Sequence, residues 1–213
     1  MTLDQLAAHL QQGLAGPLPG FEAHRQLFPK TLAGEVRYKP PVGAPKTSSV
    51  LVLALPGISG APELVFTLRS AQLGSHGGQI SFPGGRIEAE ETPEMAALRE
   101  AEEEVGLPAT APTVLGQLSP LYVYVSNSLI TPIVAVADKP MAWQPNPSEV
   151  AEVFQVPLAE FLEPQRRRSA PRQLGDQVYD VPYFDVHPTT PLWGATAMIL
   201  AEYLALLAPV ATR

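Results

Sequence analysis

Three acidic side chains at helical spacing are the residues of this sequence that most directly suggest chemistry. Glu100, Glu103 and Glu104 lie near the end of residues 92–105, a segment with helical periodicity. At 3.6 residues per turn their carboxylates share an arc of about 100°. Like charges at this spacing repel one another, and the last helical turn also faces the negative end of the helix dipole. A bound divalent cation explains the arrangement better than a solvated acidic face, and hard oxygen ligands favour Mg²⁺ or Mn²⁺.

The helix that must position these carboxylates has recognisable ends. Thr92 is a suitable N-cap, Pro93 fits the first helical position and Gly106 fits the end. The apolar face is predicted to lie nearly opposite the acidic arc and to consist of Met95, Leu98, Ala101 and Val105. Arg99 precedes Glu103 by four residues and is expected to orient the carboxylates through a salt bridge. Glu91 is expected to support the preceding turn or an outer metal ion.

A glycine-rich segment precedes the helix and suggests a phosphate site. Glycine lets the backbone approach a ligand closely, and Arg69 offers a planar fork for a phosphate. The competing interpretation is a surface turn in which Arg69 pairs with an acid. His76 could hydrogen-bond a phosphate or orient the loop, although a single loop histidine is more often solvated. A loop that joins a strand to the acidic helix would bring phosphate and metal together.

The remaining pattern predicts alternating strands and helices. Strands are expected at residues 50–55, 64–68, 113–118, 121–125, 130–137, 149–156 and 178–184. Helices are expected at residues 2–14, 92–105, 157–162 and 191–207. Residues 16–20 and 40–45 are predicted connections, and the basic run at residues 166–168 is placed in a loop. His9 and His24 are expected on the surface.

Composition excludes several classes of protein. The 213 residues carry a net charge of −7, which argues against general binding to nucleic acids or anionic membranes. The absence of cysteine excludes disulfides, thiol catalysis and zinc–thiolate sites. Residues 192–211 are apolar enough to suggest a membrane span, but Glu202, Gly194 and Pro209 favour a buried terminal helix. Without a recognisable leader, the chain is expected in the cytoplasm, acting on a small molecule.

The segment from Gly85 to Leu107 resembles the Nudix box. Its fixed positions are Gly85, Glu91, Arg99, Glu100, Glu103, Glu104, Gly106 and Leu107. The resemblance implies an α/β (α+β) fold, namely an αβα sandwich with a mixed β-sheet between helices. It also implies a Mg²⁺ or Mn²⁺ ion bound by Glu100, Glu103, Glu104 and the Gly85 carbonyl. One domain is expected over residues 1–213, with an N-terminal extension at 1–47 and a core at 48–207.

The segment upstream of the box is similar to the coenzyme A pyrophosphatase branch of that family. Arg69-Ser70 is followed by Gly78 and then by Phe82-Pro83-Gly84-Gly85. Gly74 departs from the pattern, because that branch usually has Arg there. Residues 147–154 and 192–197 are also similar to the branch. The resemblance implies cleavage of coenzyme A and its thioesters to 3′,5′-ADP and 4′-phosphopantetheine or its acyl form, with Arg69, Ser70, His76 and Gly78 binding substrate.

The sequence leaves the identity of the general base and of the substrate open. Glu103 is the favoured base and a metal ligand, with Glu100 and Arg99 beside it, while Glu149 and Glu152 are alternative bases from outside the box. One rival function is hydrolysis of ADP-ribose or another nucleoside diphosphate derivative. A second is a Nudix-like ligand-sensing module without activity. RNA cap hydrolysis fits poorly with the acidic chain.

Overall fold

The computed structural model describes residues 1–31, 33–36, 41, 43–74 and 76–207. Residues 40 and 42 of the predicted connection, Ser75 of the glycine-rich segment and residues 208–211 of the apolar C-terminal stretch lie outside these ranges. The helices of the described chain are α1 (Leu3–Leu14), α2 (Gly20–His24), α3 (Pro93–Val105) and α4 (Gly194–Leu207). Short 3-10 helices occur at Arg25–Leu27, Leu158–Leu162 and Pro164–Arg166.

The main sheet contains eight strands of the described chain. They are β1 (Lys46–Pro56), β2 (Pro62–Arg69), β3 (Ile80–Ser81), β4 (Gly84–Arg86), β5 (Thr113–Gln117), β6 (Leu121–Val123), β7 (Ser128–Val136) and β8 (Val150–Pro157). The central strand β1 pairs in parallel with β7 and antiparallel with β2 and β4. The sheet is therefore mixed, as predicted, and each strand predicted from the sequence occurs with shifted ends.

Helices cover both faces of this sheet, which explains why β1 is a continuous apolar run. Leu51 and Leu53 point to the face packed against α3, whereas Val52 and Ala54 point to the face packed against α1 and α4. A strand that is buried on both sides needs apolar residues at every position rather than at alternate ones. The αβα sandwich with a mixed sheet between helices is thus confirmed.

A second sheet of three strands lies beside the first. It consists of β9 (Arg167–Leu174), β10 (Gln177–Phe184) and β11 (Leu192–Trp193). The prediction of a loop at residues 166–168 is wrong, because Arg167 and Arg168 begin β9 and pair with Phe184 and Tyr183. The last helix also starts at Gly194 rather than at residue 191, because Leu192 and Trp193 first pair with β10.

A buried contact between a histidine and a glutamate connects the N-terminal segment to the last helix. His24, predicted on the surface, is buried, and its Nε2 atom lies 2.7 Å from Glu202 Oε2. The Glu202 carboxylate also accepts hydrogen bonds from the N–H groups of Gly20 at 3.0 Å and Ser119 at 3.2 Å. Burial alone would raise the pKa of Glu202, but the hydrogen bonds from His24 and Ser119 lower it.

The apolar last helix is accordingly a core element with one fully hydrogen-bonded acid. Most of its side chains pack into the core shared with α1, and Glu202 is satisfied inside that core. Within the residues that the structure describes, no helix combines the length and the apolar character needed to cross a bilayer.

Candidate active site

The acidic helix begins and ends where the sequence predicts. The Thr92 hydroxyl accepts the Met95 N–H at 3.2 Å, and Gly106 ends the helix in the left-handed conformation with φ of 71°. Ala97, Ala101 and Val105 form the buried stripe, each turned about 40° from the one before. Met95 was predicted on this stripe, but it lies on the far side of the helix and its side chain is 55% exposed.

The three box carboxylates occupy different environments. Glu104 is only 2% exposed because it lies beside the buried stripe, whereas the Glu103 side chain is 58% exposed. The prediction that the acidic arc lies nearly opposite the apolar face is therefore wrong for Glu104. Its Oε2 accepts the Gly84 N–H at 3.1 Å, and its Oε1 lies 3.3 Å from Arg69 Nη1.

Burial shifts the titration of the two inward-facing carboxylates. Desolvation raises the pKa of Glu104 to about 7, against the lowering effect of the Gly84 hydrogen bond and the Arg69 charge. Desolvation also raises the pKa of Glu100, although Arg99 opposes it. Repulsion from Glu149 raises both pKa values further, so these three carboxylates share one electrostatic site.

Gly84 and Gly85, at the end of the glycine-rich segment, pack closely against α3. Gly84 and Gly85 belong to β4 and pair with Val50 and Ser49 of the central strand. A Cβ atom on Gly85 would collide with the Glu100 carboxylate, and one on Gly84 would collide with the Ser49 carbonyl. Gly84 also has φ of 151°, which side chains other than glycine rarely adopt. Glycine is therefore required for the backbone to reach Glu100 and Glu104.

Arg99 holds the outer side of the acidic cluster. Its guanidinium contacts Glu91 at 2.7 Å, Glu100 at 3.0 Å and Glu103 at 3.3 Å, and it donates to the Arg86 carbonyl at 2.9 Å. The salt bridge predicted between Arg99 and Glu103 is thus present. The hydrogen bond from Arg99 lowers the pKa of Glu91 to about 2. Glu91 also accepts the Glu88 N–H at 2.9 Å and so supports the turn before the helix, as expected.

The loop that follows Arg69 is closed by its own backbone. The Arg69 N–H donates to the Gln79 carbonyl, and the Gly78 N–H donates to the Arg69 carbonyl, each at 3.0 Å. His76 is exposed, and its Nδ1 lies 3.2 Å from the Gln79 side-chain oxygen. Ser70 is buried, with its hydroxyl 3.4 Å from the Gln72 N–H. Of the predicted substrate-binding residues, Arg69 therefore approaches the carboxylates directly, while the other residues shape the loop.

The two alternative bases separate in the structure. Glu149 interacts with Glu100 and Glu104, whereas Glu152 lies 3.4 Å from the Nε2 atom of His187. Glu149 is held in place because the Ser70 N–H donates to its carbonyl at 2.7 Å. The Asn146 N–H, in turn, donates to the Glu104 carbonyl at 2.9 Å.

Asn146 is a positioning residue that the sequence analysis missed. Its side-chain oxygen accepts the Ser148 N–H at 3.2 Å, which makes the turn that carries Glu149. The Asn-Pro-Ser run is a turn signal, but only the fold shows that this turn closes the end of α3.

The donor set fits a hard divalent cation. The buried Glu104 and the partly buried Glu100 are oxygen donors beside the Gly84-Gly85 backbone, and their mutual repulsion favours a cation between them. In the described part of the chain, no three His, Cys, Asp or Glu side chains already converge on one metal position. Glu103 is instead turned toward Arg99, so it must rotate if it is to join the other two.

Comparison with known proteins agrees with this geometry. The family model for the NUDIX domain matches residues 45–177. The chain is 35% identical over 164 residues to the mitochondrial Nudix hydrolase 15 of Arabidopsis thaliana. The aligned segment covers 73% of this chain and 56% of that protein. This chain thus spans little more than half the length of that relative.

A second relative and a solved structure extend the comparison. The mitochondrial coenzyme A diphosphatase NUDT8 of Homo sapiens is 38% identical over 170 residues, covering 78% of this chain and 71% of that protein. The crystal structure of a Nudix hydrolase from M. smegmatis, RenU, has the same fold, with a TM-score of 0.51 at 22% identity over 87% of this chain and 98% of that one. The Nudix box, the fold and the relatives all indicate the same family. The chain therefore belongs to the Nudix hydrolase family.

Proposed function

We propose that this protein hydrolyses the pyrophosphate bond of coenzyme A and its thioesters with Mg²⁺ or Mn²⁺. The products would be 3′,5′-ADP and 4′-phosphopantetheine or its acyl form. The observation that carries this proposal is the junction at Glu104, whose carboxylate contacts both Arg69 and the Gly84 backbone. Through this junction, the segment similar to coenzyme A pyrophosphatases abuts the acidic helix. The name of the human relative supports the same substrate.

Each side chain of the junction has a distinct part in the proposed reaction. A divalent cation held by Glu100, Glu103, Glu104 and the Gly85 carbonyl would neutralise phosphate oxygens and lower the pKa of a water molecule. Arg69 presents its guanidinium from the end of β2, where it can bind a diphosphate oxygen. Ser70, His76 and Gly78 would shape the loop around that group.

A group that accepts the proton of the attacking water completes the site. Glu103 is exposed and oriented by Arg99, so it can reach a water molecule on the open side of the helix. Glu149 is the stronger of the two alternatives, because its carboxylate is within electrostatic range of Glu100 and Glu104. Glu152 is engaged with His187, which lies in the segment between β10 and β11.

The proposal is tested by incubating the protein with coenzyme A and either Mg²⁺ or Mn²⁺, and separating the products by mass spectrometry. We expect 3′,5′-ADP and 4′-phosphopantetheine in equal amounts, and neither product when EDTA is present. Hydrolysis of ADP-ribose without hydrolysis of coenzyme A would assign the protein to the rival substrate class. Metal-dependent binding of coenzyme A without cleavage would instead indicate a ligand-sensing module.

A further inference from the structure

A second polar cavity lies on the small sheet, away from the acidic cluster. Its volume is about 260 Å³. The residues that line it come from β9, from β10 and from the segment between β10 and β11, and include Arg172, Tyr183, His187, Thr189 and Thr190. None of them belongs to the box or to the glycine-rich segment, so the proposed hydrolysis does not account for this cavity.

The cavity lies on the face of the main sheet opposite to the acidic cluster. The centre of the His187 ring lies 4.9 Å from that of Phe154, and Phe154 stacks on Phe66, a residue of the core that includes α1 and α4. The acidic cluster lies on the other face, where α3 packs and where Arg69 contacts Glu104. A ligand in this cavity is therefore distinct from a substrate bound at Arg69.

Arg172 supplies the cavity with an unpaired positive charge. Its guanidinium carbon lies 5.1 Å from the centre of the Trp193 ring, which holds the side chain in place. Its Nε atom is buried without a hydrogen-bond partner, and no acid of the described chain pairs with it. A cation that is partly removed from water attracts an anion more strongly than an exposed one does. Arg172 is therefore suited to an anionic ligand.

The other ionisable groups at the cavity leave this charge uncompensated. Asp185 lines the cavity, but Arg168 neutralises it at 3.1 Å. His187 Nδ1 accepts backbone N–H groups, so its Nε2 carries the ring proton and donates to Glu152 at 3.4 Å. The net charge of the cavity is thus the single positive charge of Arg172.

The wall that faces Arg172 is fixed before any ligand binds. The N–H groups of Thr189 and Thr190 donate to His187 Nδ1 at 3.4 and 3.2 Å. Pro188 and Pro191 flank the two threonines, and the proline ring restricts the backbone φ angle. A segment that is already ordered loses little conformational freedom on binding, which favours affinity.

We propose that this cavity binds a small phosphate group, either inorganic phosphate or a phosphate monoester, at a site separate from the hydrolytic centre. Its volume of about 260 Å³ is just below the range of about 300 to 1,000 Å³ typical of pockets for drug-sized ligands. The Arg172 guanidinium can bind two phosphate oxygens. The remaining oxygens of the tetrahedral group can accept from the hydroxyl groups of Thr189 and Thr190, whereas a carboxylate has no further oxygen.

The two tryptophans of the chain report on the two faces of the main sheet separately. Trp193 contacts Arg172, whereas Trp143 packs on the core next to α3. Titration of ¹⁵N-labelled protein with inorganic phosphate in EDTA should shift the indole N–H resonance of Trp193 saturably and leave that of Trp143 unchanged. The variant Trp143→Phe assigns the two resonances.

Substitutions locate the bound phosphate. Arg172→Ala is expected to weaken the affinity measured at Trp193 by about 10- to 100-fold, because a charge-assisted hydrogen bond is lost. Arg172→Lys should retain part of the affinity, and Thr190→Val should weaken it less than Arg172→Ala does. Arg25→Ala is the matched control, since Arg25 is an exposed arginine outside the cavity. Arg69→Ala should also leave the response of Trp193 unchanged, because Arg69 lies on the other face.

Three results would overturn the proposal. They are the absence of a saturable shift at Trp193, an affinity that is equal in Arg172→Ala and the wild type, and loss of the Trp193 response in Arg69→Ala. The dispersion of the resonances shows whether each variant is folded, and Arg172→Lys and Thr190→Val test the same contacts with smaller changes.

The choice of ligand identifies the source of the phosphate. Methyl phosphate that binds as tightly as inorganic phosphate would support a site for phosphate monoesters, and weaker binding would support a site for the free ion. Acetate is the comparison for charge alone. Acetate that binds as tightly as phosphate would contradict the assignment of a phosphate site.

Discussion

At the scale of single residues, three glutamates of one helix occupy different environments. Spacing along the sequence places Glu100, Glu103 and Glu104 on one arc, and this is enough to identify a metal-binding pattern. It cannot show that Glu104 is buried against Gly84, because that contact depends on how β4 packs under the helix. The rotation of α3 on the sheet therefore decides which carboxylates face inward.

Substitution of each candidate general base shows, through its effect on kcat, which glutamate accepts the proton. Glu103→Gln is expected to lower kcat by about 10² to 10⁴ if Glu103 is the general base, since the amide cannot accept the proton. Glu149→Gln is expected to have the smaller effect. Glu152→Gln is expected to leave kcat unchanged, because Glu152 pairs with His187. Glu102→Gln is the matched control, because Glu102 is an exposed glutamate of the same helix. If only Glu149→Gln lowers kcat, Glu149 rather than Glu103 is the general base.

The raised pKa of Glu104 predicts a pH dependence of metal binding. Its folded-state pKa of about 7 lies above the ordinary value of 4.5, so the folded protein without metal keeps this proton at mildly acid pH. Metal binding must displace the proton, and Mn²⁺ affinity should fall about tenfold per pH unit as the pH drops below about 7. Calorimetric titration at about pH 6 and about pH 8 measures this. Equal affinity at both pH values would contradict a role for Glu104 as ligand.

The same pKa shift also sets the stability of the protein without metal. Because the folded state holds the Glu104 proton more tightly than the unfolded state, this group stabilises the fold below pH 4.5, and that contribution is lost as the pH rises to about 7. In Glu104→Gln, the free energy of unfolding in EDTA should therefore change less over this interval. If the free energy of unfolding changes with pH equally in the variant and the wild type, the raised pKa does not belong to Glu104.

At the scale of secondary structure, the sequence pattern predicted six of the eight strands of the main sheet and β10 of the small sheet, but not β3, β4, β9 or β11. Apolar runs identified β1, β2 and β7, because strands buried on both faces need such composition. The strand β9 contains arginines and a proline, and only its pairing with β10 makes it a strand. The ends of α1 and α3 were predictable since capping depends on adjacent residues.

The strand β4 gives the most specific stability test of the site. Gly84→Ala is expected to lower the free energy of unfolding by about 1 to 3 kcal/mol, because the added Cβ collides with the Ser49 carbonyl. Denaturant unfolding followed by circular dichroism measures the change. Gly74→Ala is the matched control, because a Cβ there meets no atom within 4 Å. Equal stability of Gly84→Ala and wild type would mean that β4 does not pack as described.

At the scale of the whole molecule, the N-terminal segment and the last helix are joined through the buried hydrogen bond between His24 and Glu202. In the sequence, Glu202 argues against a membrane span, but His24 was expected on the surface. A pairing across 178 positions leaves no local pattern, and so it could not be predicted from periodicity. The extent of the domain, residues 1–213, and the cytoplasmic location stay predictions.

Removal of this contact should destabilise the fold without altering the chemistry. His24→Ala leaves the buried Glu202 carboxylate without its histidine hydrogen-bond partner and should cost about 1 to 3 kcal/mol of unfolding free energy at neutral pH. The lowered pKa of Glu202 means that this contribution is present at neutral pH and is lost as the pH falls below 4.5. Thermal unfolding at several pH values measures it, and Arg25→Ala is an exposed control. A loss of stability that is the same at acid and neutral pH would contradict the pairing.

In the proposed function, the Arg69 segment and the acidic helix form one site that cleaves coenzyme A. The initial rate of 3′,5′-ADP release from coenzyme A with Mn²⁺, measured in the wild type and in Glu104→Gln, tests this arrangement. We expect metal-dependent release by the wild type and a rate at least about 10²-fold lower in the variant, because Glu104 joins the two elements. If the wild type releases no 3′,5′-ADP, or if both proteins release it at equal rates, the proposed site is wrong.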